Sequence, residues 1–247
     1  MPRIVLVLLG ILLALPARAE GPAVDVALVL AVDASGSIDD AEFALQRQGI
    51  AGAVTHRRVV EVITRGAIGR VAFAYVEWGG PGSAATMVDW IVVEDAAGAE
   101  AFAAAVLAAP RSYQSYNAIG DAITHATALL AACPCSPLRR VIDISGDNPD
   151  SRSLLPAPRA RDAAMAAGIT VNALAILNTP APPGGRHWLV ENYEGRVIGG
   201  PGAFVMPAEG RDDFTRALLD KLIIEMTGLP PADGAAEAAP RGLRTRG

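Results

Sequence analysis

Residues 26–32 read VALVLAV, an apolar run with no polar interruption. A strand with one wet face alternates apolar and polar residues, so an unbroken run rich in β-branched side chains needs cover on both faces. That is the environment of a central strand in a parallel sheet. The run ends on Asp33-Ala-Ser35-Gly36-Ser37, and Ser37-Ile-Asp-Asp40 then reads as a helix start. Phe43, Ile50 and Val54 fall on one face of that helix.

The same alternation continues. Strands are expected at 71–76, 87–93, 140–145, 169–177 and 203–206. The first two of these are separated by a short Gly/Pro/Ser turn and pair as an antiparallel hairpin. Helices are expected at 99–108, at the stripe Ile119, Ile123, Ala126 and Leu130 stopped by Pro134, at 159–167, and at Phe214, Leu218 and Leu222. Residues 178–186 (NTPAPPGGR) form an irregular loop. The pattern specifies an α/β fold: a doubly wound, mostly parallel sheet of about six strands, one antiparallel at the edge, with helices on both faces.

The amino terminus sets the compartment. Arg3, an apolar run over 4–15 and Ala17-Arg18-Ala19 have the layout of a secretory signal peptide cleaved after Ala19, giving a secreted or periplasmic protein. The apolar run falls short of the roughly 20 residues of a spanning helix, with an uncleaved anchor as the alternative. No later stretch could span a bilayer. The expected organisation is 1–19 signal peptide, 20–228 one α/β domain and 229–247 a disordered Pro/Ala-rich tail.

With 51% hydrophobic residues and 19% charged, the chain can bury a sizeable core. Its net charge of −5, with no basic stripe, argues against nucleic acid as a partner. The two cysteines, Cys133 and Cys135, flank Pro134, and either two thiols or one tight bond is open.

In an open parallel sheet, ligands bind at the carboxyl ends of the strands. The loop after 26–32 offers Asp33, Ser35 and Ser37 at alternate positions, with Gly36 allowing a tight turn. Carboxylate and hydroxyl oxygens are hard donors suited to Mg2+, with Mn2+ or Ca2+ as further options. The alternative is a capping arrangement, with Ser37 and Asp40 as a box and Asp33 bonding turn amides. The loop after 140–145 carries Asp147 at the end of a neighbouring strand, where it can meet Asp33; alone it reads as an Asx turn before Pro149. Asp143, inside that strand, reads as an acceptor for loop amides or a partner for an arginine.

The Asp33-x-Ser35-x-Ser37 pattern resembles the D-x-S-x-S signature of von Willebrand factor type A domains. The resemblance spans residues 24–228. RRVIDISGDN, ARDAAMAAGITVNAL and VIGGPGAF further resemble a bacterial group of exported, uncharacterised proteins with this core. The resemblance implies a metal-ion-dependent adhesion site completed by a threonine from a second loop and an aspartate, here Asp147, from a third. The threonine position falls on Asn117, whose amide oxygen is a bulkier donor. Ser115 is a nearby hydroxyl, and Asn117 also suits a helix N-cap.

Three functions follow as expectations. In the first, an ion at Asp33, Ser35, Ser37, Asn117 and Asp147 captures an Asp or Glu carboxylate of a protein or peptide partner, with no catalysis. In the second, the metal site has decayed and the same loops bind a partner without it. The third, a metal-assisted hydrolase, lacks a G-x-S-x-G elbow, a phosphate loop or an H-E-x-x-H pair. His56 reads as an exposed helix end beside Arg57 and Arg58, His125 as lying within a helix and His187 as following a proline-glycine loop, and none is an evident base. Tyr113 and Tyr116 flank the second loop as a recognition rim or as local packing.

Overall fold

The computed structural model describes residues 21–36, 39–112, 115–210 and 213–228. The expected signal peptide, the whole of the expected tail, Ser37 and Tyr113 lie outside the described residues. In chain order the elements are β1 (Ala23–Asp33), α1 (Asp40–Thr55), α2 (Arg57–Thr64), β2 (Val71–Trp78), β3 (Ala85–Val93), α3 (Ala96–Ala108), α4 (Ile119–Ala131), β4 (Ser136–Gly146), α5 (Ala157–Ala166), β5 (Ile169–Ile176), α6 (Trp188–Arg196), β6 (Val205–Ala208) and α7 (Phe214–Thr227).

The sheet has six strands in the order β3-β2-β1-β4-β5-β6. Every neighbouring pair is parallel except the β2–β3 hairpin at one edge. Strand order reverses between β1 and β4, which have 11 residues each.

The apolar run of β1 is divided between two cores by strand alternation. Val26, Leu28, Leu30 and Val32 face a layer with Ile50 of α1, Val59 of α2, Phe102 of α3 and Leu222 of α7. Ala27, Val29 and Ala31 face the other layer, against Ile123 of α4, Ala160 of α5 and Tyr193 of α6. At about 1.5–3 kcal/mol for each large apolar side chain taken out of water, β1 is the chief anchor of both layers. The second layer is alanine-rich, which lets its helices lie close to the sheet.

Two helices go beyond the sequence expectation. A break at His56 separates α2 from α1, and the His56 ring accepts the Arg58 N–H at 3.2 Å as the α2 cap. His187 caps α6 in the same way, accepting the Leu189 N–H at 3.1 Å. Cys133 and Cys135 are joined as a disulfide, which resolves the two alternatives.

Two ion clusters are buried. Asp143 of β4 pairs with Lys221 of α7 at 2.8 Å, and Lys221 also donates to Glu225 at 2.5 Å. Asn172 of β5 donates to the same Glu225 oxygen at 2.8 Å. The expected partner of Asp143, an arginine or a loop amide, is therefore a lysine, brought in by packing of the last helix on the sheet. In the other cluster, Arg47 of α1 meets Glu77 of β2 at 2.6 Å, and Glu77 accepts the Ser112 N–H at 2.8 Å. Arg47 also donates to the Ala109 and Pro110 carbonyls. This cluster ties the chain leading into the Asn117 loop to the carboxyl end of β2.

Candidate functional site

The strand register brings the two acidic loops together. Val32 lies beside Ser145 in the parallel β1–β4 pair, and Asp33 beside Trp78 in β1–β2. Asp33 and Asp147 thus leave adjacent strands at the same carboxyl edge, next to the reversal of strand order. Both are buried, as are Ser35 and Ser145.

Each acid is held locally. Asp33 Oδ1 accepts the Ser35 N–H at 2.7 Å, a bond to a turn amide as its plain structural use anticipates. Asp147 Oδ1 accepts from the Asn148 amide at 2.7 Å and Oδ2 from the Asn178 amide at 3.3 Å.

The floor beneath them comes from α6. The Tyr193 hydroxyl donates to the Asn148 carbonyl at 2.8 Å. Burial pushes its pKa well above the ordinary value, and the negative charges of Asp33, Asp147 and Asp150 push it in the same direction. The phenol therefore stays a protonated donor under three carboxylates. Gly146 makes room for it: a Cβ there would lie 2.8 Å from the Tyr193 oxygen and 3.1 Å from the Trp78 ring. Sequence reading missed Tyr193 because it sits on a short helix after a proline-glycine loop. The apolar trio Leu189, Val190 and Tyr193 was the signal available.

Asn117 does not cap α4. Ala118 occupies the cap position, with no side-chain hydrogen bond, and its N–H is taken by the Gly79 carbonyl at 2.8 Å. The Asn117 side-chain oxygen is buried and has no hydrogen-bond partner among the described residues. Its backbone carbonyl accepts the Ser151 N–H at 2.6 Å, which joins the second loop to the chain that follows Asp147. Gly120 tightens this joint, donating to Asp150 at 3.2 Å and to the Ser153 hydroxyl at 2.9 Å. Asp121 completes it by accepting the Gly82 N–H at 2.8 Å and the Leu154 N–H at 2.9 Å.

Between these loops lies an open cleft of about 440 Å³, lined by Ser35, Ser115, Tyr116, Asn117, Asn148 and Ser151 among others. Of the sequence candidates, Ser35 and Asn117 share the cleft wall, while Asp33 and Asp147 sit at the strand ends from which that wall rises. Ser37 lies outside the described residues. The donors brought together are all oxygens, two of them carboxylates, a set that fits a hard divalent cation and not a soft one. Asn117, which lines the same cleft and has a buried side-chain oxygen without a hydrogen-bond partner among the described residues, fits it further. Among the described residues no cluster of three or more His, Cys, Asp or Glu could hold a metal. A cation here would lean on hydroxyl and amide oxygens.

The histidines lie elsewhere. His125, half-buried on α4, contacts the Thr86 hydroxyl at 2.8 Å, and burial lowers its pKa. His56 and His187 are helix caps.

Comparison with solved structures identifies the architecture. Proximal thread matrix protein 1 of the mussel byssus superposes with a TM-score of 0.57 at 14% identity, over 83% of this chain and 47% of its own. The pilus adhesin SpaC of Lactobacillus rhamnosus GG gives 0.57 at 16%, over 85% of this chain and 31% of its own. A von Willebrand factor type A protein of Catenulispora acidiphila gives 0.53 at 16%, over 82% and 43%. This chain spans less than half the length of each. The mussel protein has also been seen with a zinc-occupied MIDAS motif. These likenesses establish a von Willebrand factor type A-like fold. No curated protein matches the sequence. The family model described as "Protein of unknown function (DUF1194)" matches residues 23–230, and the chain belongs to that family.

Proposed function

We propose that this protein is an exported binding protein that holds a divalent cation, Mg2+ in the first instance, at Asp33, Ser35, Ser37, Asn117 and Asp147, and through it captures an acidic side chain of a protein or peptide partner. The observation that carries this reading is the buried Asn117 oxygen without a hydrogen-bond partner, in the wall of a cleft that Ser35 shares, beside two carboxylates on adjacent strand ends. Leaving a polar group buried and unpaired costs about 1–3 kcal/mol, and a ligand that accepts its lone pairs removes that cost. A bound divalent cation supplies positive charge and open coordination positions to an incoming carboxylate. The chain's part is to fix the oxygens. Asp33 is locked by the Ser35 amide, Asp147 by two asparagine amides, and the Asn117 loop by Ser151. The neutral oxygens of Ser35, Ser37 and Asn117 draw less on the cation's charge than further carboxylates in their place would.

Binding is favoured over catalysis because no histidine reaches the cleft wall. An adhesin among the structural relatives is consistent with this reading, and export accords with the amino-terminal sequence. No helix of the described residues is long and apolar enough to cross a membrane. A second reading, a metal-independent interaction module, draws on Asp147, whose two oxygens already accept amide hydrogens. Binding of an aspartate-bearing peptide in Mg2+ and again in EDTA separates the two. The first reading expects binding in Mg2+ only. Equal binding in EDTA overturns it in favour of the second.

A further inference from the structure

We infer that Arg152, seated on Tyr116 beside the cleft, is a second acid-binding point, so that the partner this surface fits presents two carboxylates, one to the ion site and one to Arg152. The inference rests on the proposed ion site for the first carboxylate and on separate observations for the second.

Tyr116 and Arg152 are the two non-glycine residues with left-handed backbone among the described residues, at φ 73° and 79°. Such conformations cost on the order of 1–3 kcal/mol each and persist only where the surroundings over-determine them. Here the surroundings do so. Ser151 is bonded to Asn117 between the two positions, and the residues on either side of Arg152 are fixed through Asp150 to Gly120 and Ala157 and through Leu154 to Asp121.

The strained pair faces outward. Tyr116 is 53% exposed and lines the cleft, and Arg152 is exposed beside cleft-lining Ser151. The guanidinium carbon lies 5.1 Å from the centre of the Tyr116 ring. Stacking on the aromatic face orients the guanidinium plane and leaves its N–H edge for a planar acid. No carboxylate of the described residues pairs with Arg152, although the nearby acids are numerous: Asp147 and Asp150 are engaged by amides. A cation held by two strained residues at the rim of a cleft, with its hydrogen-bonding edge unused among the described residues, is built for a ligand. Its planar fork matches a carboxylate bidentately, as a lysine would not.

The test is an NMR titration of the protein in Mg2+ with Gly/Ser peptides carrying a single aspartate, and with a series in which a second aspartate is moved along the peptide. The best two-aspartate peptide is expected to bind about five- to tenfold tighter than the single-aspartate peptide. Arg152→Ala should erase that advantage, while Arg152→Lys should retain only part of it. Equal affinities in the native protein, or an advantage that survives Arg152→Ala, overturn the inference. An Arg152-dependent preference that persists in EDTA keeps Arg152 as an acid-binding point but overturns its pairing with an ion site, and the metal reading with it. Failure of every peptide to bind overturns both.

Discussion

The Ser151 amide donates to the Asn117 carbonyl at 2.6 Å, and through that one bond the loop carrying Asn117 and the loop carrying Asp147 become a single wall. Gly120, Asp121 and Asp150 reinforce the joint from the start of α4. Asn117 is thereby held in the cleft wall, its amide oxygen buried with nothing from the described residues to satisfy it.

That arrangement gives Asn117→Ala effects of opposite sign. In EDTA the substitution removes a buried unsatisfied oxygen, so stability should be unchanged or rise by up to about 1 kcal/mol. In Mg2+ the stabilisation conferred by ligand binding should shrink. Denaturant midpoints with and without Mg2+ measure both. A loss well above 1 kcal/mol in EDTA would mean that Asn117 acts structurally.

Gly120→Ala should damage fold and site together. Its Cβ would fall 1.9 Å from the Leu155 carbonyl oxygen and 2.8 Å from the Ala157 nitrogen, both backbone atoms. The 150–156 segment must then move away from α4, at a cost of about 2 kcal/mol or more. Urea unfolding should show the loss, and Mg2+ affinity should fall with it. A variant with native stability would contradict the close packing of this joint.

The buried cluster under α7 makes stability depend on pH. Burial raises the Glu225 pKa from 4.5 to about 7, against the attraction of Lys221 and with the help of Asp143. Burial also raises Asp143, against Lys221. Between about pH 4.5 and 7 the folded protein keeps a proton on Glu225 that the unfolded chain has released. The contribution is therefore full at the acid end and is lost as pH rises through about 7, amounting at most to on the order of 3 kcal/mol. Glu225→Gln, which keeps an acceptor for Asn172 and Lys221, should flatten that part of the profile. Chemical denaturation at several pH values checks it, and an unchanged slope in the variant would contradict the assignment.

Much of this was legible beforehand for a physical reason. VALVLAV admits little but a central strand, and the alternating Asp33, Ser35 and Ser37 fall where such a strand must hand over to a helix. The β2–β3 hairpin followed from the short Gly/Pro/Ser turn between two strands, and the helix of Phe214, Leu218 and Leu222 from its period. Short, charged elements did not. The α6 sequence WLVENYEGR carries three buried side chains in nine residues and a glycine near its end, too little periodicity to declare a helix. Tyr193, and with it the floor of the site, went unseen. Lys221 could not be matched to Asp143, since only packing of α7 on the sheet makes them neighbours. The cap reading of Asn117 was reasonable from residue type, and the chain places the cap one residue later.

The most direct test of the account is a calorimetric titration of Mg2+ into EDTA-stripped protein, beside Asp33→Ala. The account predicts saturable binding by the native protein that is lost in the variant, with the fold of both intact by circular dichroism. Absence of binding by the native protein, or equal binding by Asp33→Ala, would contradict it.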